Sequence, residues 1–186
     1  HGVIGQRLAD SLARRSFLAL GVPATHLGKG LTALQGEYRA QTLNLTTLLL
    51  DGMRTQAEGR LPWPLVLSAD AEPAASRAGQ GVRAVAAKAL PRVLAALEHA
   101  LAEDTDAPLL LTDASLLSRY GFLPRLATWI DLATARPRAV WLVVPQLHAN
   151  QGPIVDGRPL PLSAPSQFVA LPPDWIDSHA LERNPA

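Results

Sequence analysis

The chain has 186 residues, 48% of them hydrophobic, no cysteine, and a formal charge of +1 from 17 basic and 16 acidic side chains. That length suits one domain with a sizeable core, and so apolar a composition excludes global disorder. The charge balance leaves no electrostatic footprint for nucleic acid or an anionic membrane, and the missing cysteines remove disulfides, thiolate chemistry and cysteine metal sites.

In chain order, Ile4, Leu8 and Leu12 recur every four residues and predict a helix over 3–15. Phe17–Val22, stopped by Pro23, reads as a first strand. A helix is expected over Leu27–Tyr38, then an alternating second strand over Arg39–Leu45. Thr46-Thr47 can cap the next helix, which runs to the breaker Gly59. Pro64–Ala69, "PLVLSA", reads as a third strand. A Gly/Ala/Ser-rich loop leads to an Ala-rich helix over Val82–Leu101, which Pro91 should kink or split. "APLLLTDA" is a fourth strand, "LPRLATWIDLATA" a fifth helix and "RAVWLVVP" a fifth strand.

Short apolar runs alternating with helices predict an α/β fold, a mostly parallel central sheet of about five strands flanked by helices. Asp156-Gly157 between two short extended runs predicts a C-terminal β-hairpin appendage. The tail then enters a helical turn at Pro173-Asp174. One α/β domain over 1–186 results, with a leading helix (1–15), a core (16–145), and a hairpin and tail (146–186). No apolar run nears the roughly 18 residues that span a bilayer, so a cytoplasmic chain without membrane contact is expected. His1-Gly2 opens the chain without a methionine and reads as an expression remnant, which suggests a fragment of a larger protein.

"GVPATHLGKGLTAL" (21–34) has the strand, loop, Gly-Lys, helix order of a phosphate-binding loop. Aligning on Gly28-Lys29 puts Pro23, which fixes φ and has no N–H, where the first glycine belongs. Gly30 stands where the Mg²⁺-binding hydroxyl must be. Lys29 therefore reads as a surface lysine at a helix N-terminus. Asp70 and Asp113 each follow an apolar run, as acids at the carboxyl ends of strands do in ATPases. With no phosphate loop or catalytic base beside them, capping of the next helix explains them better. His26, His99, His148 and His179 have no ligand spacing, and no G-x-S-x-G elbow is present. Neither a catalytic residue, a cofactor nor a metal site is expected.

Trp141 reads as core, and Trp129 as part of a buried stripe with Leu126 and Leu132. Trp175 either pins the hairpin to the sheet or engages a partner, and with Asp156 and Gly157 it is an interaction candidate.

"LLTDASLLSRY", "VWLVVP", "IVDGRPLPL" and the closing "LPPDW" resemble the C-terminal region of the phage-growth-limitation serine/threonine kinases (PglW type) of type 2 BREX antiphage systems. "RSFLALGV" and "WPLVLSADA" extend the likeness over most of the chain. The resemblance implies a fragment of a defence kinase without the kinase domain, because Gly-rich loop, strand lysine, HRD and DFG are all missing from this sequence. It further implies a regulatory or interaction module for other defence proteins or for the rest of its own chain. The alternative is a degenerate ATPase-like nucleotide-binding domain using Asp70 and Asp113. Nucleic-acid binding through Arg14-Arg15, Arg119 and Arg125 fits the neutral balance poorly.

Overall fold

The computed structural model describes residues 2–181; His1 and 182–186 lie outside the described residues. Three apolar runs that bury both faces become the central strands of one sheet, as parallel strands under helices must. β1 (Phe17–Pro23) pairs with β4 (Val140–Gln146) in parallel over seven positions, Phe17 opposite Val140 and Pro23 opposite Gln146. β3 (Leu109–Thr112) joins β4, β2 (Gln41–Asn44) joins β3, and β7 (Phe168–Ala170) covers the far side of β1. The order is β2-β3-β4-β1-β7 and every pairing is parallel, so all five carboxyl ends share one rim.

Helices cover both faces. α1 (Val3–Arg14), α2 (Leu27–Tyr38) and α8 (Pro173–Leu181) close one, where Leu8, Leu34 and Ile176 pack on Leu20, Val22 and Trp141. Trp141 is fully buried as expected, with its Nε1 donating to Ser11 Oγ at 3.0 Å and Tyr38 edge-on at 5.0 Å. Its indole N–H thus keeps a partner in the core. The other face carries α3 (Leu45–Ala57), α4 (Trp63–Asp70), α5 (Arg77–Leu101), α6 (Ser115–Arg119) and α7 (Ala127–Ile130). Leu45, Leu49, Val93, Leu97, Leu117 and Ile130 pack there against Phe17, Leu109 and Leu142.

β5 (Ile154–Val155) and β6 (Arg158–Pro159) form the expected hairpin. Asp156 (φ 47°) and Gly157 (φ 73°) are both left-handed, as a two-residue hairpin turn requires. Val155 and Leu160 bury into the α3–α7 face, and Ser118 Oγ donates to Val155 O at 2.6 Å.

Several expectations change. Pro64–Ala69 is helix α4, not a strand: an apolar run this short fits either, and Pro64 in the first turn suits a helix start. Val66 is buried while Leu65 and Leu67 stay exposed, so only one side of that run meets the core. The fifth strand is instead β7, three residues inside the "SQFVALPPDW" tail. α5 begins at Arg77, with Ser76 Oγ accepting from Gly79 N, and passes through Pro91 unbroken. Asn44 rather than Thr46 or Thr47 caps α3, its Oδ1 accepting from Thr47 N at 2.8 Å. The fifth helix shrinks to a 3-10 turn (Leu123–Leu126) and α7, which leaves Leu132 54% exposed and outside Trp129's apolar surroundings. Among the described residues no helix is long and apolar enough to cross a membrane.

Candidate functional site at the carboxyl rim

Ligands of open parallel sheets gather where neighbouring strands send their connections to opposite faces. β1 and β4 are such neighbours. β1 leads into α2 on one face, and β4 leads to the hairpin packed on the other. Between their carboxyl ends and that of β7 lies a cleft of about 570 Å³, bordered by Pro23 at the end of β1 and Ala24 after it, Leu147 and Ala149 after β4, and Leu171 and Pro172 after β7.

Its walls are mostly apolar, with Thr25, Gln146 and His148 as polar members. Gly21 makes the floor possible. A methyl group there would fall 2.6 Å from Gln146 Oε1 and 2.8 Å from the Phe168 ring, so only glycine lets both side chains close over β1. Gln146 is 5% exposed; its Nε2 donates to Gln151 O, and Gln151 Oε1 accepts from Leu147 N at 2.8 Å. The bonds hold the segment after β4 in a turn that leaves Leu147 74% exposed at the mouth. A large apolar side chain fixed in that position suits contact with another apolar surface.

The sequence-predicted residues lie elsewhere on the rim and faces. Lys29 donates to Asp177 Oδ1 at 2.9 Å and ties α2 to α8. His26 Nε2 stands 3.9 Å from the same carboxylate, and the Lys29 bond holds Asp177 below the usual carboxylate range. Asp70 ends helix α4, not a strand, on the opposite face. Its carboxylate accepts from Tyr120 Oη at 2.8 Å and meets Arg119 at 3.1 Å. Burial and that carboxylate push the Tyr120 phenol well above its ordinary value, so it stays a donor.

Asp113 does sit just past a strand, β3, in a left-handed conformation (φ 50°). Its Oδ1 accepts from Ser115 Oγ and N at the start of α6, one residue before the formal cap position. Its carbonyl accepts from Thr46 N and Oγ1, joining α3 to β3. Lys29 and Asp70 therefore serve separate faces, each committed to a local partner. Among the described residues, no group of three or more His, Asp or Glu could hold a metal ion.

Trp175 stacks on His179 (4.2 Å between centroids, 23° between planes) and packs on the α1–α2–α8 face. The hairpin belongs to the other face, so Trp175 does not pin it; Val155, Leu160 and the Ser118 bond do. Asp156 and Gly157 are exposed at the hairpin tip.

The fold and rim define a doubly wound parallel α/β unit with an apolar cleft at its switch point. No family model matches the chain, and no solved structure does. A Streptomyces coelicolor protein named "Probable kinase PglW" is 28% identical over 180 residues, covering 92% of this chain. The chain spans 11% of that protein's length.

Proposed function

We propose that this chain is a non-catalytic regulatory or protein-interaction segment of a serine/threonine kinase of a type 2 BREX antiphage system, acting in the cytoplasm. It corresponds on this reading to the C-terminal region of the kinase and docks other defence proteins or the rest of its own chain. The observation that carries the reading is the switch-point cleft, apolar along most of its lining and with Leu147 held outward at its mouth. Similarity to one named kinase over nearly the whole segment supports the parentage. Among the lining residues, Thr25, Gln146 and His148 supply polar chemistry, and Gln146 is already spent on Gln151.

Deletion of 1–186 from the full-length kinase tests this. Loss of phage resistance together with loss of partner pull-down is expected; unchanged resistance and capture would contradict it. Calorimetric titration with ATP and Mg²⁺ addresses the nucleotide-binding alternative. Binding abolished by Asp70→Asn or Asp113→Asn would favour that alternative over the interaction role.

A further inference from the structure

Four arginines meet in a second cleft, at the amino-terminal rim of the sheet. Arg7 and Arg14 of α1, Arg15 just after it, and Arg136 from the segment before β4 line a cavity of about 490 Å³. Asp10 is the acidic residue in that lining, and it accepts from Gln6 Nε2 at 2.8 Å. In a chain of net charge +1, this is a strong local excess of positive charge.

Arg136 is 9% exposed. Its Nε donates to Arg15 O at 3.0 Å, and its Nη1 donates to Trp129 O and Asp131 O, each at 2.8 Å. Among the described residues Nη2 has no hydrogen-bond partner, and no carboxylate lies within 4.0 Å of the guanidinium. The Asp131 carboxylate turns instead to Ala133 N and Thr134 Oγ1. Burial lowers the Arg136 pKa and Asp131 partly restores it. Three carbonyls thus lock the fork of a buried cation that no carboxylate contacts among the described residues, and buried charges are ordinarily paired.

The other three arginines have loose or no ionic partners. Arg7 Nη2 donates to the Ser166 and Phe168 carbonyls, and Arg15 reaches Asp106 only at 4.0 Å. Arg14 has no ion pair among the described residues. Guanidinium forks match phosphate oxygens two at a time, which a point charge cannot do. The cavity volume falls within the range of small-ligand sites.

We propose that this amino-rim cleft binds a phosphoryl group, borne by a phosphorylated serine or threonine side chain or by a free phosphate metabolite. Arg136 forms the fixed floor of the site, and Arg14 and Arg15 approach from the end of α1. The arginines share one concavity instead of running along a face, so the site suits a compact anion better than a duplex.

Titration of the ¹⁵N-labelled chain with inorganic phosphate, a phosphoserine peptide, its unphosphorylated twin and a short DNA duplex tests the proposal. Phosphate or phosphopeptide should shift amides around Arg14, Arg15 and Arg136. The exposed Arg14→Glu change should weaken that binding about tenfold or more, the size of a lost charge-assisted bond, at an unchanged thermal midpoint. Arg14→Lys, which keeps the charge, should lose less. A phosphopeptide that binds more tightly than inorganic phosphate identifies a modified side chain as the source, and equal affinities identify a free metabolite. No shift with either probe, affinities unchanged in Arg14→Glu, or tighter binding of DNA than of both phosphates would overturn the proposal.

Discussion

A methyl group added at Gly28 would meet nothing within 4 Å, whereas at Gly30 it would meet Val22 Cγ1 at 2.9 Å. The two glycines beside Lys29 therefore have different reasons to be there. Gly30 lets α2 settle onto β1, while Gly28 only weakens the first turn of a helix. Gly28→Ala should raise stability by about 0.5 kcal/mol. Gly30→Ala should lower it by about 1–2 kcal/mol, since Val22 cannot yield without disturbing β1; urea unfolding of both variants checks the pair. Lys29 itself has a pH signature. Asp177 titrates lower folded than its ordinary 3.8. The stabilisation from the Lys29 bond is thus complete above that value and fades as pH falls through the lower folded one. The thermal midpoints of the parent and Lys29→Met should differ at neutral pH and converge by about pH 2.

Among the elements, α5 carries the most revealing conflict. Pro91 lies on its exposed side, where it forfeits an N–H bond to Ala87 O and crowds that carbonyl, yet the helix runs on. Burial of Val82, Ala86, Ala89, Leu90, Val93 and Leu97 against α3 and the sheet outweighs the local defect. Pro91→Ala should raise stability by about 1–2 kcal/mol, because part of the gained helix bond is offset by a freer unfolded chain. Ser76→Ala at the other end should cost about 1 kcal/mol through loss of the cap on Gly79 N. Chemical denaturation midpoints measure both. The same element shows what the sequence discloses and what it hides. The apolar runs of β1, β3 and β4 and the Asp156-Gly157 turn were legible because each has a local cause. α4 was not, since a run as short as Pro64–Ala69 lacks a period that separates helix from strand. β7 was missed because three residues carry no periodicity, and it becomes a strand only by pairing with Ala19–Gly21.

At the scale of the molecule, parallel strands and two covered faces could be inferred from alternation, but the order β2-β3-β4-β1-β7 could not. That order depends on α2 carrying the chain from β1 to the far edge at β2, before β3 and β4 fill the two positions between. It also creates both clefts. The carboxyl-rim cleft joins residues after β1, β4 and β7, three segments spread over some 150 positions. The amino-rim cleft joins Arg15 to Arg136 across 121 positions. Arg14-Arg15 stood out in the sequence, but nothing local links them to Arg136. Asp70 misled for the converse reason: it follows an apolar run, yet that run is a helix on the other face.

The claim on which the account chiefly rests is that Leu147 at the carboxyl-rim cleft is a contact surface and not part of the core. Phage plating efficiency on cells expressing the proposed parent kinase with Leu147→Asp tests it most directly, alongside the thermal midpoint of the 186-residue chain with the same change. At 74% exposure, the substitution should leave the midpoint and the cellular level of the kinase unaltered while phage resistance collapses. Full resistance in that variant would contradict the account.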